Sequence, residues 1–193
     1  MSRSFRIAVA DDEAVMRDYF REILPDLGHE VVAAASTGKA LVEECLRHRP
    51  DLVITDIRMP EMDGIDAAAE ITRQLPIPII LVSAFSDRPL IERAKDSMVL
   101  SYLIKPIQQA SLETAIEIAG TRFEEVEALR REAGDLRQAL EDRKLIERAK
   151  GILMRRLSVD EDTAFARLRK AAMEQSRKLV DVARTLIQAE KLL

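Results

Sequence analysis

The stretch DLVITDIRMPEMDG, residues 51–64, begins as an apolar, β-branched run and ends in a proline- and glycine-bearing turn. A single aspartate, Asp56, stands where the run stops. A strand apolar throughout is buried on both faces, as in a parallel sheet covered by helices. Similar runs lie at FRIAVA (5–10), EVVAAA (30–35), IPIILVSA (77–84) and LSYLIK (100–105). Segments of helical period separate them, at 13–27, 37–48, 64–75 and 86–98. Five strands alternating with helices predict an α/β fold, a five-stranded parallel doubly wound domain of flavodoxin-like type. Right-handed crossovers then bring every strand's C-terminal end to one edge, where such folds bind ligands.

That edge collects the polar residues. Asp11 and Asp12 follow the first strand, Asp56 ends the third, Ser83 the fourth and Lys105 the fifth, with Pro106 next. Three carboxylates in one cleft repel one another. A divalent cation relieves this, and oxygen-only ligands favour Mg²⁺. A hydroxyl and an ammonium beside the metal suit an anion, so the set fits phosphoryl transfer onto a carboxylate.

These residues resemble the receiver domain of two-component response regulators. The resemblance covers residues 4–118 and is carried by VADDE (9–13), DLVITDIRMPEMDG (51–64), LVSAF (81–85) and YLIKP (102–106). It implies that Asp56 is the phospho-acceptor. It also implies that Asp11, Asp12, Asp56 and the backbone carbonyl of Arg58 hold Mg²⁺. Ser83 and Lys105 would contact the phosphoryl group, Tyr102 would be the aromatic that reports activation, and Lys105–Pro106 would be cis. The implied partner is a sensor histidine kinase, and the chain is expected to be no enzyme beyond handling its own phosphoryl group. The segment DSMVLSY (96–102) departs from the family, lacking the glycine that usually separates the fourth helix from the fifth strand. A haloacid-dehalogenase-type phosphatase also uses a strand-end aspartate with Mg²⁺. It shows D-x-D-x-T there, and residue 58 is arginine.

After Ser111 the chain reads as helix throughout, with no proline beyond Pro106. Val126, Leu129, Ala133, Leu136 and Leu140 are spaced 3, 4, 3, 4, as in a coiled coil, and predict a helical linker over 119–141 through which a homodimer could form. Gly134 within it costs about 1 kcal/mol relative to alanine. Three amphipathic pieces follow, read as a small three-helix bundle over 142–193. Their apolar stripes are Ile146–Ala149–Ile152–Leu153, Ala164–Phe165–Leu168–Ala171–Ala172 and Leu179–Val182–Ala183–Leu186. Ser158 or Asp160 is the expected cap of the middle helix.

Charge separates the two ends. Residues 142–193 hold 13 Lys/Arg and 8 Asp/Glu, a net of +5, leaving −9 for residues 1–141 within an overall −4. Clustered bases on a small helical module suggest nucleic-acid phosphates. This end resembles the ANTAR domain of transcription antitermination regulators, through ERAKGILM (147–154), DEDTAFARLRKAAM (160–173) and VARTLI (182–187). The resemblance implies binding of RNA stem-loops in nascent leader transcripts. Lys150, Gly151, Arg155, Arg169 and Lys170 are the residues expected at the RNA. Gly151 would permit close approach of RNA or tight packing on the next helix. Ala149, Met154, Phe165, Leu168 and Met173 are expected in the core; Phe165 could instead stack a base, but its position on the apolar stripe favours the core. Duplex DNA is the weaker alternative, because RLSVDED is acidic where a DNA-reading turn would meet phosphates. A protein-docking output is a third.

One cysteine, Cys45, permits no internal disulfide, and no apolar run approaches the roughly 18 residues of a membrane span. A cytoplasmic location is expected. His29 and His48 lack metal-ligand spacing.

Overall fold

The computed structural model describes residues 3–84 and 98–190. Five parallel strands form one sheet in the order β2-β1-β3-β4-β5. They are β1 (Arg6–Ala10), β2 (Glu30–Ala35), β3 (Leu52–Asp56), β4 (Ile79–Ser83) and β5 (Val99–Ile104). All five residues of β3 and all five of β4 are buried, as the unbroken apolar runs require. Alternation along the strands divides the core. Ile7, Val9, Leu52 and Ile54 pack with Phe20 and Leu24 of α1 (Ala14–Asp26) and with Leu112, Ala115, Ile116 and Ala119 of α4 (Gln109–Leu157). On the opposite face Ala8, Ala10 and Val53 meet Leu41, Val42 and Cys45 of α2 (Gly38–His48) and Ile65, Ala68 and Ile71 of α3 (Gly64–Gln74).

Cys45 is fully buried in this second core, and burial pushes its thiol up to about 12. The helix expected over 86–98 lies outside the described residues apart from Met98, as do Asp96 and Ser97 of the segment lacking the family glycine. The Lys105–Pro106 peptide is cis, as expected.

The C-terminal unit has its own core. Ala149 and Ile152 of α4, Leu168 and Ala172 of α5 (Glu161–Glu174), and Val182, Ala183 and Ile187 of α6 (Leu179–Glu190) bury one another. Asp160 caps α5 by accepting a hydrogen bond from the Thr163 N–H at 2.7 Å. Ser158, the other expected cap, instead turns the chain at φ 51°.

The linker expected at 119–141 and the first piece of the bundle are not separate elements. Both lie within α4, one helix of 49 residues that contributes to the sheet core at Leu112 and to the C-terminal core at Ile152. No proline interrupts it, and its three internal glycines lower helix propensity without ending the helix. Phe165 and Met173, expected in the core, are 40% and 72% exposed. Phe165 stands 100° around the helix from buried Ala164, at the flank of the stripe, and so small a bundle buries only the stripe's centre.

Candidate functional site: an acidic pocket and a basic helical unit

The strand ends converge as their positions imply. Asp11 leaves β1 with its N–H donating to the Ala35 carbonyl at 3.2 Å, and its Oδ1 accepts from the Glu13 N–H at 2.9 Å. Asp56 is held by the Arg58 N–H, which donates to Oδ2 at 2.9 Å. Lys105 enters from β5, its N–H donating to the Ser83 carbonyl at 2.9 Å. Its ammonium lies 2.9 Å from Asp11 Oδ2 and 3.1 Å from Asp56 Oδ1. Ser83 is buried at the end of β4, which pairs directly with both β3 and β5.

Burial governs the electrostatics. It pushes the Asp56 carboxyl above the usual carboxylate range. Lys105 and the Arg58 N–H pull it down, and Asp11 pushes it further up. Burial also acts to lower the Lys105 ammonium, but the facing Asp11 and Asp56 carboxylates outweigh it and leave the ammonium above its ordinary value. Among the described residues one cation, Lys105, faces the two buried carboxylates, which leaves them an excess of negative charge.

A divalent cation fits that excess. Asp11 Oδ2 is buried and, among the described residues, accepts no well-formed hydrogen bond, only the electrostatic contact with Lys105. Asp11, Asp12 and Glu13 each bring a carboxylate oxygen within 4.8 Å of the others. Glu13, also 3.8 Å from Lys105, has no part in the expected ligand set. Its adjacency to the aspartate pair was the available signal.

Gly64 is a second residue that the motif contains without revealing its role. A Cβ there would stand 2.0 Å from the Asp56 carbonyl oxygen. Its N–H donates to the Ile57 carbonyl at 2.8 Å, and Asp63 caps α3 immediately before it. The glycine thus lets the start of α3 lie against the backbone of Asp56. Tyr102 lies on β5, 53% exposed.

In the C-terminal unit the expected RNA residues separate into two kinds. Arg155, Arg169 and Lys170 are exposed. Lys150 is 8% exposed, its ammonium 2.8 Å from Glu147 and 2.6 Å from Glu161, and these two carboxylates, Glu147 first, raise its pKa. It is therefore not the free surface cation that its place in the sequence implies. Gly151 does not pack tightly on the next helix, since an added Cβ would meet only Arg155 Nη1, at 3.8 Å.

Comparison with known proteins agrees with both units. The response regulator receiver domain family model matches residues 7–117, and the ANTAR domain model matches residues 134–187. The chain is 43% identical over 183 residues to the transcriptional regulatory protein PdtaR of Mycobacterium tuberculosis, covering 95% of this chain and 89% of that protein. It is 41% identical to the chemotaxis protein CheY of Bacillus subtilis over 104 residues, 53% of this chain and 87% of that one. Among solved structures it is similar to the receiver domain of the putative response regulator NarL of Mycobacterium tuberculosis, with 28% identity and a TM-score of 0.57 over 62% of this chain and 98% of that one. No helix among the described residues is long and apolar enough to cross a membrane. Receiver pocket, ANTAR segment and near full-length similarity to one regulator together identify the chain as a member of the response regulators that carry an N-terminal receiver domain and a C-terminal ANTAR domain.

Proposed function

We propose that the chain is a phosphorylation-controlled regulator that binds RNA stem-loops in nascent transcripts and promotes transcription antitermination. The observation that carries this reading is the union, in one chain, of the Asp11–Asp56–Lys105 pocket with an ANTAR segment of net positive charge. Asp56 is the phospho-acceptor, and a sensor histidine kinase is the donor. Asp11, Asp12, Asp56 and the Arg58 carbonyl hold Mg²⁺, which when bound supplies counter-charge for the phosphoryl oxygens. Lys105 neutralises the acceptor pair and pairs with the phosphoryl group, and Ser83 hydrogen-bonds to it. Tyr102, exposed at β5, is the rotamer switch.

The boundaries of this reading are a receiver at 1–118, a helical linker at 119–141 and an RNA-binding unit at 142–193. Leu129, Leu136 and Leu140 are 65%, 65% and 54% exposed at coiled-coil spacing, which supports pairing with a second copy. The protein acts in the cytoplasm, where kinase output and nascent transcripts meet. Phosphorylation shifts the receiver between two states, and α4 carries the change because its residues belong to both cores.

The test compares wild type with Asp56→Asn, each with and without a small-molecule phosphoryl donor. Filter binding is measured with a tandem-hairpin RNA, a scrambled RNA and duplex DNA. The reading requires hairpin preference, and a response to the donor that Asp56→Asn abolishes. Equal binding to all three nucleic acids would sink the RNA reading. A donor response that persists in Asp56→Asn would sink the acceptor assignment.

A further inference from the structure

The C-terminal unit contains an aromatic ring that folding covers only in part. Phe165 is 40% exposed on α5, although Ala164 and Leu168 beside it are buried. Apolar burial stabilises a fold, so a phenylalanine left 40% exposed forgoes part of that stabilisation in a bundle with little core to spare. Lys150 takes the opposite course. It is almost fully buried, and its ammonium lies 5.8 Å from the centre of the Phe165 ring while bonded to Glu147 and Glu161. The cation thereby supports one side of the ring and ties α4 to the first turn of α5. Exposed bases stand on the same two helices, Arg155 on α4 and Arg169 and Lys170 on α5.

A partly exposed ring on a helical unit of net positive charge is an arrangement by which proteins hold unpaired bases. Sequence-specific RNA readers stack splayed loop bases on aromatic side chains, since the deep groove of the A-form stem is closed to them. Building on the RNA reading above, we propose that Phe165 is the stacking platform for one unpaired loop base of the hairpin. Lys150 is a positioning residue that holds the platform, and it is not a phosphate contact. Arg155, Arg169 and Lys170 neutralise the adjoining phosphates. The expected roles of Lys150 and Phe165 are thus exchanged: the lysine belongs to the structure and the phenylalanine to the ligand.

The experiment uses the full chain and a tandem-hairpin RNA with randomised loops, enriched by rounds of binding to the wild-type protein. Phe165→Leu keeps apolar bulk and Phe165→Tyr keeps the ring, so the pair separates stacking from folding. Phe165→Leu is expected to weaken binding by about 5- to 150-fold, the range for one lost base–aromatic stack, while Phe165→Tyr retains it. Irradiation of the complex at short ultraviolet wavelength is expected to leave a nucleotide adduct on the peptide containing Phe165. Lys150→Gln is expected to lower the melting temperature but leave the salt dependence of binding unchanged. Arg169→Gln reduces that slope by about one, as loss of a phosphate contact does. Enriched hairpins bound equally well by Phe165→Leu, with adducts only elsewhere, would overturn the platform and leave the RNA reading standing. Failure to enrich any hairpin would overturn both. Binding of a protein at this face that competes with no RNA would assign the ring to a protein partner instead.

Discussion

Replacing Gly64 with alanine should disable the receiver from its backbone. The new Cβ would lie 2.0 Å from the Asp56 carbonyl oxygen, 3.0 Å from the carbonyl carbon and 3.1 Å from Thr55 Oγ1. Side-chain carbons essentially never come within 3.0 Å of such neighbours, so the two segments must separate by about 1 Å. Both obstacles nearest the new atom are main chain, and neither can swing aside as a side chain would. Retreat of α3 stretches the hydrogen bond from the Gly64 N–H to the Ile57 carbonyl, and movement of β3 displaces Asp56. Overpacking of this kind costs about 1–3 kcal/mol, and a weakened buried hydrogen bond adds about 1 kcal/mol. The expected loss of roughly 2–4 kcal/mol lowers the melting temperature by about 5–15 °C for a chain of this length. The internal control is Gly134, whose Cβ would meet nothing within 4 Å on exposed helix. Gly134→Ala should stabilise by up to about 1 kcal/mol. Both variants are followed by circular dichroism on heating and by phosphoryl uptake from a small-molecule donor. A Gly64→Ala protein that melts with the wild type and takes up phosphate at the same rate would refute the reasoning. So would equal effects from the two alanines.

The pocket's electrostatics predict that Asp56→Asn stabilises the unphosphorylated chain at neutral pH. Burial raises the Asp56 carboxyl, so its ionisation costs stability as pH rises from the ordinary carboxylate range through the raised value. The gain should therefore be full at neutral pH and shrink in acid, as a pH series of melting curves would show. The Lys105 ammonium is raised, so its contribution is complete below the ordinary lysine value and disappears as pH climbs through the raised one. Lys105→Met should accordingly lower the melting temperature at pH 7, and Mg²⁺ should recover part of the loss. At ten times its dissociation constant the ion adds about 1.4 kcal/mol, and Asp11→Asn should abolish that increment in a metal titration. On the pairing proposed above, Leu136→Lys should shift sedimentation toward the single chain, since Leu136 is 65% exposed in the single chain.

The receiver was legible because its signals are local or categorical. Strand runs such as LVITD are apolar on both faces, and Asp11, Asp56 and Lys105 each occupy a strand end that topology alone brings to one edge. Gly64 and Glu13 needed the third dimension, since their roles depend on distances to Asp56 and Lys105. The output unit was less transparent for a related reason. Lys150 pairs with Glu161, eleven residues away across a turn, and helical periodicity is blind to such a neighbour. Periodicity also marks a wide apolar arc on α5 without saying how much of it a small bundle covers, so it points Phe165 and Met173 inward although both are exposed. The expected boundaries at 118 and 141 both fall inside α4, where glycines without a left-handed turn give the helix no reason to stop.

Cys45 offers a practical consequence. It is the chain's one thiol, fully buried and pushed up to about 12, so at neutral pH it presents essentially no thiolate to an alkylating reagent. A cysteine introduced at any exposed position would then be the sole reactive sulfur. Spin labels or fluorophores for distance measurements across the phosphorylation cycle could be attached to the native background, with no prior removal of cysteine.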